Sequence, residues 1–471
     1  MINDYLHGNF APVSSQLNTS ALEVTGTIPE WLDGAFIRNG SNPQFKPVGI
    51  YNRIDGDGML HLVRLKNGQA NYVNRFVETF GYQTEREAGK PVWRGFLEKP
   101  NPDAPASPRG GSIYKNTSNT SVVHHAGVTL SMYEGGLPHR VDPRTLETLG
   151  IHDFFGTWEG TFIAHCKVDQ QTDEIIFISA HLPSGHYRYG RVGPDGRVCY
   201  EQQLELSRSS VMHDMAITAN YAIIFDLPYT FDKTRLEKGM SPLGFEHDSS
   251  SRFGVMPREG GDIQWFECSA GYIFHTLNAF EIGDEIVLHA PKLKTTKWLN
   301  RKIPFGYDPE EVAGGDWAGQ MTEWRFNLRT GHVSEQILSE WYCDFPQLPL
   351  SLVSRPHRYG YSARVADQTG KEPILFDGLI KHDFLKKRHD FFSFGPERYG
   401  HEVAVVPCLN SKVEDDCLLM TYLHDEFRSQ SELVIYHGAD IGNGPLARVH
   451  LPQRVPYGFH GTWLPHTAFD L

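Results

Sequence analysis

The sequence predicts an all-β fold, and a β-propeller fits it better than a pair of sandwiches or one large barrel. Short runs rich in Val, Ile, Phe and Tyr alternate with polar turns along the whole chain. Amphipathic helices are few, and residues 29–34 and 383–387 are at best single helical turns. A chain of 471 residues has room for several four-stranded blades of roughly 40–70 residues each, although no repeat of fixed length is visible.

Hairpin signals account for many of the expected strands. The apolar runs 60–65 and 70–77 are joined by Asn67-Gly68, and Asn-Gly between two such runs is the strongest short-range hairpin signal. The same pattern predicts strand pairs around residues 169–173, 195–196 and 330–331. No shift in composition marks a boundary, so residues 1–471 are expected to form one domain. Residues 99–111, rich in Pro, Asn and Ser, are interpreted as an exposed connection rather than a lid.

Charge and cysteine usage exclude several classes of function. The net charge is −13 and no long basic run is present, which argues against a nucleic-acid partner and is typical of ordinary solubility. No two cysteines have CxxC spacing, so the sequence indicates neither a thiolate metal site nor a disulfide framework. The six cysteines are Cys166, Cys199, Cys268, Cys343, Cys408 and Cys417.

Targeting and membrane signals are weak. The first ten residues lack a basic segment followed by an apolar one, so no signal peptide is expected. No apolar run is long enough to span a bilayer, and we expect a soluble cytoplasmic protein of a reducing compartment. Residues 292–305 mix Lys and Arg with Trp, Leu, Ile and Phe. This pattern leaves peripheral contact with an anionic membrane open, although a solvated loop is the preferred interpretation.

The histidines are the informative residues. Four of the 23 lie among apolar or aromatic neighbours and should be substantially buried: His165, His213, His275 and His460. A single buried histidine is more often a core residue bonded to backbone than a metal ligand. No HxH or HExxH motif is present, so ligands would have to come from separate strands, which a propeller permits. Five others are predicted to be solvated loop residues: His139, His247, His357, His389 and His424.

A site of four imidazoles has a definite chemistry. Neutral imidazole suits iron, copper and zinc, and four such ligands leave the charge of the ion uncompensated. Carboxylates are then expected to accept the second ring N–H of the histidines and so fix their tautomers. An octahedral iron would keep two open positions for dioxygen, water or substrate.

Taken in order, motifs along nearly the whole chain resemble those of the carotenoid cleavage oxygenases. The matching segments are NFAPV (9–13), LEVTGTIP (22–29), DGAFIRNGSNP (33–43), DGDGMLH (55–61), YEGGLP (133–138), MHDMAIT (212–218), FDLP (225–228), RFGVMPR (252–258), FHTLNAFE (274–281), RPHRYGY (355–361) and GFHGTW (458–463). The resemblance implies a seven-bladed β-propeller with a helical and loop dome over its top face.

The same resemblance implies roles for individual residues. An iron(II) ion on the propeller axis would be held by His165, His213, His275 and His460. The carboxylates behind the histidines match Glu134, Asp344 and Glu402. Asp344 departs from the family's glutamate, and its shorter side chain is expected to reach its histidine less directly. Thr120 matches a threonine near the open iron position, whereas Tyr133 and Phe274 match aromatic positions of the substrate tunnel.

The function implied is that of a non-haem iron(II) dioxygenase that cleaves a C=C double bond of a carotenoid or apocarotenoid into two carbonyl products. No GxGxxG signature for a nicotinamide or flavin is present, which agrees with electrons supplied by the reaction itself. A stilbene- or phenylpropenoid-cleaving enzyme of the same family is an alternative. However, Tyr133 stands where phenol-binding members have a lysine. A non-catalytic propeller that binds an apolar ligand and an isomerase-type enzyme also stay open.

Overall fold

The computed structural model describes residues 4–108, 114–238, 240–294, 318–366 and 373–470. The described residues are mostly β-strand, with two short α-helices, α1 (Phe80–Ala88) and α2 (Lys233–Glu237). They divide into two compact units. Unit 1 comprises residues 1–160, 375–379 and 391–471, and unit 2 comprises residues 161–374 and 380–390. A single domain over residues 1–471 stays a prediction.

The strands are short, and most are three to nine residues long. They are β1 (Asn18–Thr19), β2 (Val24–Gly26), β3 (Gly34–Ser41), β4 (Gly58–Lys66), β5 (Gln69–Phe76), β6 (Ser121–His125), β7 (Val128–Met132), β8 (His139–Val141), β9 (Thr148–Ile151), β10 (Lys167–Asp169), β11 (Glu174–His181), β12 (His186–Val192), β13 (Val198–Leu204), β14 (Ala216–Ile217), β15 (Tyr221–Asp226), β16 (Tyr229–Phe231), β17 (Leu243–Phe245), β18 (Ser251–Pro257), β19 (Gln264–Cys268), β20 (Asn278–Ile282), β21 (Glu285–Lys292), β22 (Gly319–Asn327), β23 (Val333–Gln347), β24 (Tyr359–Val365), β25 (Phe376–Asp383), β26 (Arg388–Ser393), β27 (Arg398–Tyr399), β28 (Ala404–Pro407), β29 (Cys417–Asp425), β30 (Gln430–His437), β31 (Ala447–His450) and β32 (Gly461–Pro465).

Unit 1 contains three antiparallel sheets. Their strand orders are β1-β5-β4-β3-β32, β6-β7-β8-β9 and β2-β31-β30-β29-β27, and β28 also pairs with β29. In the first sheet the last strand of the chain, β32, pairs with β3 from Gly34↔Pro465 to Arg38↔Gly461. Two strands that are far apart in the sequence are therefore joined by backbone hydrogen bonds within one sheet.

The hairpin between β4 and β5 shows why the local sequence folds this way. Lys66 pairs with Gln69, which leaves a two-residue turn of Asn67 (φ +51°) and Gly68 (φ +72°). Positive φ at both positions is what a type I′ turn requires, and Asn and Gly adopt it most readily. One face of these strands is buried, with Val63, Leu65 and Tyr72 almost inaccessible to solvent. The hairpin predicted from the sequence is confirmed.

Unit 2 contains the sheets β10-β11-β12-β13 and β14-β15-β18-β19, the pair β16-β17, and a longer sheet that begins β20-β21-β22-β23. The turns predicted around residues 169–173, 195–196 and 330–331 connect β10 to β11, β12 to β13, and β22 to β23. These predictions are confirmed as well. In each of the three larger sheets the first strand is also an edge strand.

Helix α1 was not predicted, although its ends are marked in the sequence. The Thr79 hydroxyl accepts a hydrogen bond from the Tyr82 backbone N–H at 3.1 Å, and Gly89 follows the helix at φ +66°. A threonine cap and a left-handed glycine are the usual signals for the two ends of a helix. Residues 383–387 form the turn from β25 to β26 rather than a helix. Within the described ranges, the helices are too short and too polar to cross a membrane.

The segment considered for membrane contact is mostly outside the described residues, which exclude 295–317. Its first residue, Lys292, is buried at 8% exposure. The Lys292 ammonium donates to Glu335 Oε1 at 2.6 Å and to the Ser269 hydroxyl at 2.6 Å. A lysine that is paired and buried in this way is not available to a membrane surface, and membrane contact by the rest of the segment is not tested by the described residues.

Candidate metal centre

Three of the four histidines lie together in unit 2. Each stands in a loop directly before an edge strand: His165 before β10, His213 before β14 and His275 before β20. The ring centroid of His165 is 4.5 Å from that of His213 and 4.9 Å from that of His275, and the latter two are 5.0 Å apart. Each histidine is held in place by the hydrogen-bonded strand that follows it. The three imidazoles therefore lie close together although they are far apart in the sequence.

The fourth histidine follows the same rule in unit 1, because His460 directly precedes the edge strand β32. The ligand atoms of His165, His213, His275 and His460 all lie within 4.8 Å of one another. His275 and His460 are each only 8% exposed. The four histidines that the sequence singled out by their apolar neighbours are therefore the ones that come together.

Carboxylates fix the tautomers of two of these rings. His275 Nδ1 donates to Asp344 Oδ1 at 2.8 Å. His460 Nδ1 donates to the Glu402 carboxylate, at 3.1 Å from Oε1 and 3.2 Å from Oε2. Glu402 is itself held, because its Oε2 accepts the Gly461 backbone N–H at 2.8 Å. With the proton on Nδ1, each Nε2 carries the lone pair that a metal ion needs.

The short side chain of Asp344 is compensated by the backbone. The pairing of β23 with β24 shifts register between Asp344 and Gln347, and a bulge of this kind re-aims the side chains beside it. The next residue, Phe345, has φ +53°, which is uncommon for an aromatic residue. Its N–H donates to Asp344 Oδ1 at 2.8 Å, and its ring stacks on His275 at 4.7 Å. The expectation of a less direct contact from Asp344 is wrong.

A residue that the sequence analysis did not single out, Asp214, links the three histidine loops of unit 2. Its Oδ2 accepts the Thr276 backbone N–H at 2.8 Å and the Thr276 hydroxyl at 2.9 Å. Its Oδ1 lies 2.7 Å from the Lys167 ammonium. Thr276 follows His275, Lys167 is two residues after His165, and Asp214 itself follows His213. The sequence feature that could have identified Asp214 is its position directly after His213, within the family-matching segment at residues 212–218.

The remaining predicted residues lie in unit 1, apart from Phe274. Thr120 immediately precedes β6, and its carbonyl accepts the His460 backbone N–H at 3.1 Å. Glu134 lies in the turn after β7, where its Oε1 is inaccessible to solvent. Phe274 makes edge contacts with the rings of Tyr272 and His213, at 4.8 and 5.4 Å between centroids. Their functional roles stay predictions.

Tyr133 lines a pocket of unit 1 whose walls also include the aromatic rings of Trp93, Phe96 and Tyr114. Burial raises the pKa of the Tyr133 phenol, so this side chain stays protonated at neutral pH. The pocket also contains Lys115.

The Lys115 ammonium is already paired with two acidic residues of the same pocket. It lies 2.5 Å from Asp57 Oδ1 and 2.6 Å from Glu85 Oε2. A buried lysine between two carboxylates leaves one negative charge in excess. The Lys115 ammonium is therefore already neutralised, and a further cationic group on the pocket wall is the exposed Arg94.

The prediction that five other histidines are solvated is wrong for most of them. His139 and His424 are each 3% exposed, and burial lowers the pKa of both to about 4. Burial lowers the pKa of His357 to about 3, and its Nε2 lies 3.2 Å from His289 Nδ1. His389 Nδ1 lies 2.8 Å from His382 Nδ1. Only His247 of the five is exposed.

The donor set fits a metal ion. His213 Nε2 and His275 Nε2 are 3.2 Å apart. Imidazole nitrogens bind first-row metal ions at about 2.1 Å, so two ligands at right angles are about 3.0 Å apart. The His275 nitrogen has no proton to donate, because its proton is on the side of Asp344. Without an ion the His213 Nε2–H can donate to this lone pair, and a bound cation would take the place of that proton between the two nitrogens.

Comparison with known proteins agrees with this geometry. The family model described as "Retinal pigment epithelial membrane protein" matches residues 10–465. A carotenoid 9,10(9′,10′)-cleavage dioxygenase of Crocus sativus is 35% identical over 97% of this chain and 88% of its own length. The chain belongs to the carotenoid cleavage oxygenase family. It is also 32% identical to a carotenoid cleavage oxygenase of Mycobacterium tuberculosis, over 99% of this chain and 98% of that protein. Isoeugenol monooxygenase of Pseudomonas nitroreducens is 29% identical, over 98% of each chain.

The fold of this carotenoid cleavage oxygenase is also similar to solved structures. The lignostilbene dioxygenase of Pseudomonas brassicacearum has a TM-score of 0.88 and 26% identity, over 98% of both chains. A cobalt-substituted Synechocystis ACO has a TM-score of 0.83 and 25% identity, over 96% of this chain and 97% of that one. Such structures are seven-bladed β-propellers, and the predicted fold class is confirmed.

Proposed function

We propose that this member of the family is a non-haem iron(II) dioxygenase that cleaves a C=C double bond of a carotenoid or apocarotenoid into two carbonyl products. The observation that supports this most directly is the group of four imidazoles whose ligand atoms lie within 4.8 Å of one another. All four ligands are neutral and two of them are backed by carboxylates, which suits a divalent ion that must keep open positions.

The residues that would hold the ion are His165, His213, His275 and His460. Iron(II) bound there would supply the activation of dioxygen for its addition across a double bond. The chain's own task is to fix the ligands and to exclude water from the reacting atoms. Asp344 and Glu402 fix two rings by accepting their Nδ1 protons. In our proposal Glu134, whose Oε1 is inaccessible to solvent, does the same for a third histidine.

Substrate choice is the finer part of the proposal. Trp93, Phe96, Tyr114 and Tyr133 give the pocket of unit 1 an aromatic wall suited to an apolar conjugated chain. We assign Tyr133 and Phe274 to the tunnel that positions this chain, and Thr120 to the vicinity of the open coordination position. Because the Lys115 ammonium is paired with Asp57 and Glu85, it is poorly suited to bind a phenolate.

A stilbene- or phenylpropenoid-cleaving activity is the second candidate. It is favoured by the likeness to a protein named isoeugenol monooxygenase and to a lignostilbene dioxygenase. Both candidates share the four-histidine centre, so they differ only in the ligand that the pocket accepts.

The test is product analysis with iron-loaded protein under labelled dioxygen. An apocarotenal and a hydroxylated stilbene are supplied separately, and carbonyl products are identified by mass spectrometry. We expect two carbonyl fragments from the apocarotenal, each carrying label before exchange with water, and none from the His213→Ala variant. Products from the stilbene alone would replace the first candidate by the second. No product from either substrate, with one iron bound per chain, would overturn the dioxygenase proposal.

A further inference from the structure

A second group of metal-binding residues lies in unit 1, among residues that the proposed reaction does not use. Cys408 follows β28, Asp416 precedes β29, and His437 ends β30. The sulfur, carboxylate and imidazole ligand atoms of these three residues lie within 4.8 Å of one another. Cysteine, histidine and a carboxylate are together the ligand types that zinc prefers.

Strand register explains why the three side chains meet. Pro407 pairs with Cys417, and the Cys408 N–H donates to the Asp416 carbonyl at 3.0 Å. In the next pairing His437 lies opposite Leu418, two residues after Asp416. Residues two apart on a strand share a face, as do residues opposite each other. The three ligands therefore project from one face at the ends of three neighbouring strands, which holds them in place before any ion arrives.

The arrangement is unsuited to a cysteine nucleophile. His437 Nε2 lies 3.0 Å from Asp416 Oδ1, and Asp416 also accepts a hydrogen bond from the Cys408 thiol. The carboxylate is thus central, whereas a nucleophilic cysteine needs the imidazole beside its sulfur. Burial and the bond to Asp416 raise the pKa of the Cys408 thiol to about 12, so without a cation the thiolate is not populated.

We propose that Cys408, Asp416 and His437 form a zinc site that is separate from the four-histidine centre. Thiolate and carboxylate together balance the charge of Zn²⁺, and the neutral imidazole completes three protein ligands. The thiol proton is released to solvent on binding. A tetrahedral zinc needs oxygen and nitrogen ligands about 3.3 Å apart, so His437 and Asp416 move by only a few tenths of an ångström from 3.0 Å.

The surroundings allow an ion to enter and leave room for a fourth ligand. The side chains of His437 and Asp416 are 32% and 38% exposed. Water can therefore take the remaining position. Glu414 and Asp415 precede Asp416 in the sequence and add negative charge that attracts a cation. A bound zinc would tie together the ends of β28, β29 and β30.

The test is titration of the iron-loaded full-length protein with Zn²⁺ and, separately, with Co²⁺. The four-histidine centre has no sulfur ligand, so a thiolate-to-cobalt charge-transfer band in the near ultraviolet reports the new site. We expect this band, one equivalent of zinc beyond the iron, and a higher Tm with zinc. Cys408→Ser should abolish the band. Mutation of a residue that only hydrogen-bonds to a metal ligand weakens metal binding by roughly 10–100-fold, and His437→Gln, which removes a ligand itself, should weaken zinc binding at least as much.

The matched control is Cys199→Ser, which removes an exposed thiol far from the three residues in sequence. It should keep the band and the zinc stoichiometry. Absence of the band in the unsubstituted protein would overturn the proposal. So would its persistence in Cys408→Ser or its loss in Cys199→Ser.

Discussion

Asp344 is the carboxylate whose effect on the metal is simplest to measure. Replacing it with asparagine keeps the shape but removes the charge that accepts the His275 Nδ1 proton. Loss of such a partner weakens metal binding by roughly 10–100-fold, and we expect a decrease in iron affinity of this size. Competition with a chromophoric chelator measures it. Asp284→Asn, at a half-exposed carboxylate paired with Arg329, is the control. Equal affinities for the two variants would contradict the role of Asp344.

Asp214 is expected to affect the metal without touching it. In Asp214→Asn the Lys167 ammonium loses its buried partner, and the loops that carry His165, His213 and His275 lose their common anchor. Breaking a buried pair costs about 3–5 kcal/mol, so both the free energy of unfolding and the iron affinity should fall. Urea unfolding and chelator competition measure the two quantities.

The control for Asp214 is Asp383→Asn, because Asp383 is buried and paired with Arg358 and lies in β25, outside the histidine loops. It should lower stability by a similar amount and leave the affinity for iron unchanged. A comparable loss of iron affinity in both variants would mean that Asp214 acts through general stability only.

At this scale the sequence predicted the four histidines because each has apolar neighbours in the chain. It missed Asp214 because the partners of that residue, Lys167 and Thr276, come from other loops. It also failed for His139 and His424, which are buried although a charged residue, Arg140 or Asp425, directly follows each of them in the sequence. Local polarity does not determine which side of a strand is covered by another sheet.

At the scale of elements, strands and turns followed from local rules. Asn67-Gly68 forms the expected turn because its conformation is set by those two residues alone. The bulge at Asp344 was not predictable, because it depends on how β23 and β24 pair over distant positions. Helix α1 had both end signals, but a nine-residue helix with five polar or charged positions has a weak apolar pattern.

The pairing of β3 with β32 gives a prediction about an element. A Cβ added at Gly34 would lie 2.2 Å from the Trp463 ring and 2.5 Å from the Leu464 carbonyl oxygen. Backbone cannot yield at that distance, so Gly34→Ala should loosen β32 and destabilise the protein by about 1–3 kcal/mol. Because His460 immediately precedes β32, iron affinity should fall as well. Thermal unfolding with and without iron measures both effects.

Gly442→Ala is the matched control, since its added Cβ would meet only the Phe392 ring at 3.4 Å, an ordinary contact. A change in unfolding temperature as large as that of Gly34→Ala would contradict the argument from strand pairing.

For the whole molecule, periodicity favoured a propeller over a sandwich pair or barrel, and the family resemblance supplied the number of blades. The residues alone could not decide this. The pairing of β32 with β3 joins two strands that are far apart in the sequence, and no local pattern in either strand predicts its partner.

Buried histidines predict how stability depends on pH. Burial lowers the pKa of His61, His139 and His382, so the folded protein keeps them neutral while the unfolded chain takes up protons near pH 6.5. Stability is therefore complete above about pH 6.5 and falls with decreasing pH, by about 1.4 kcal/mol per pH unit for each histidine. Asp55, whose pKa burial raises to about 6, opposes this weakly below that pH.

Urea unfolding at about pH 7.5 and about pH 5.5 measures the effect, and we expect these three histidines to contribute a loss of about 3–4 kcal/mol at the lower pH, to which His357 and His424 add. His139→Gln should make the dependence shallower, whereas His186→Gln, at an exposed position, should not. Stability that is constant or rises as the pH falls would contradict the prediction.

The position of β32 also bears on how the protein matures during synthesis. On the ribosome β3 emerges long before β32 and must wait, with one edge uncovered, until residues 461–465 have been synthesised. His460 leaves the exit tunnel at the same stage. A nascent polypeptide that stops short of this point lacks both a strand and a ligand, so capture of iron by all four histidines has to follow the synthesis of β32.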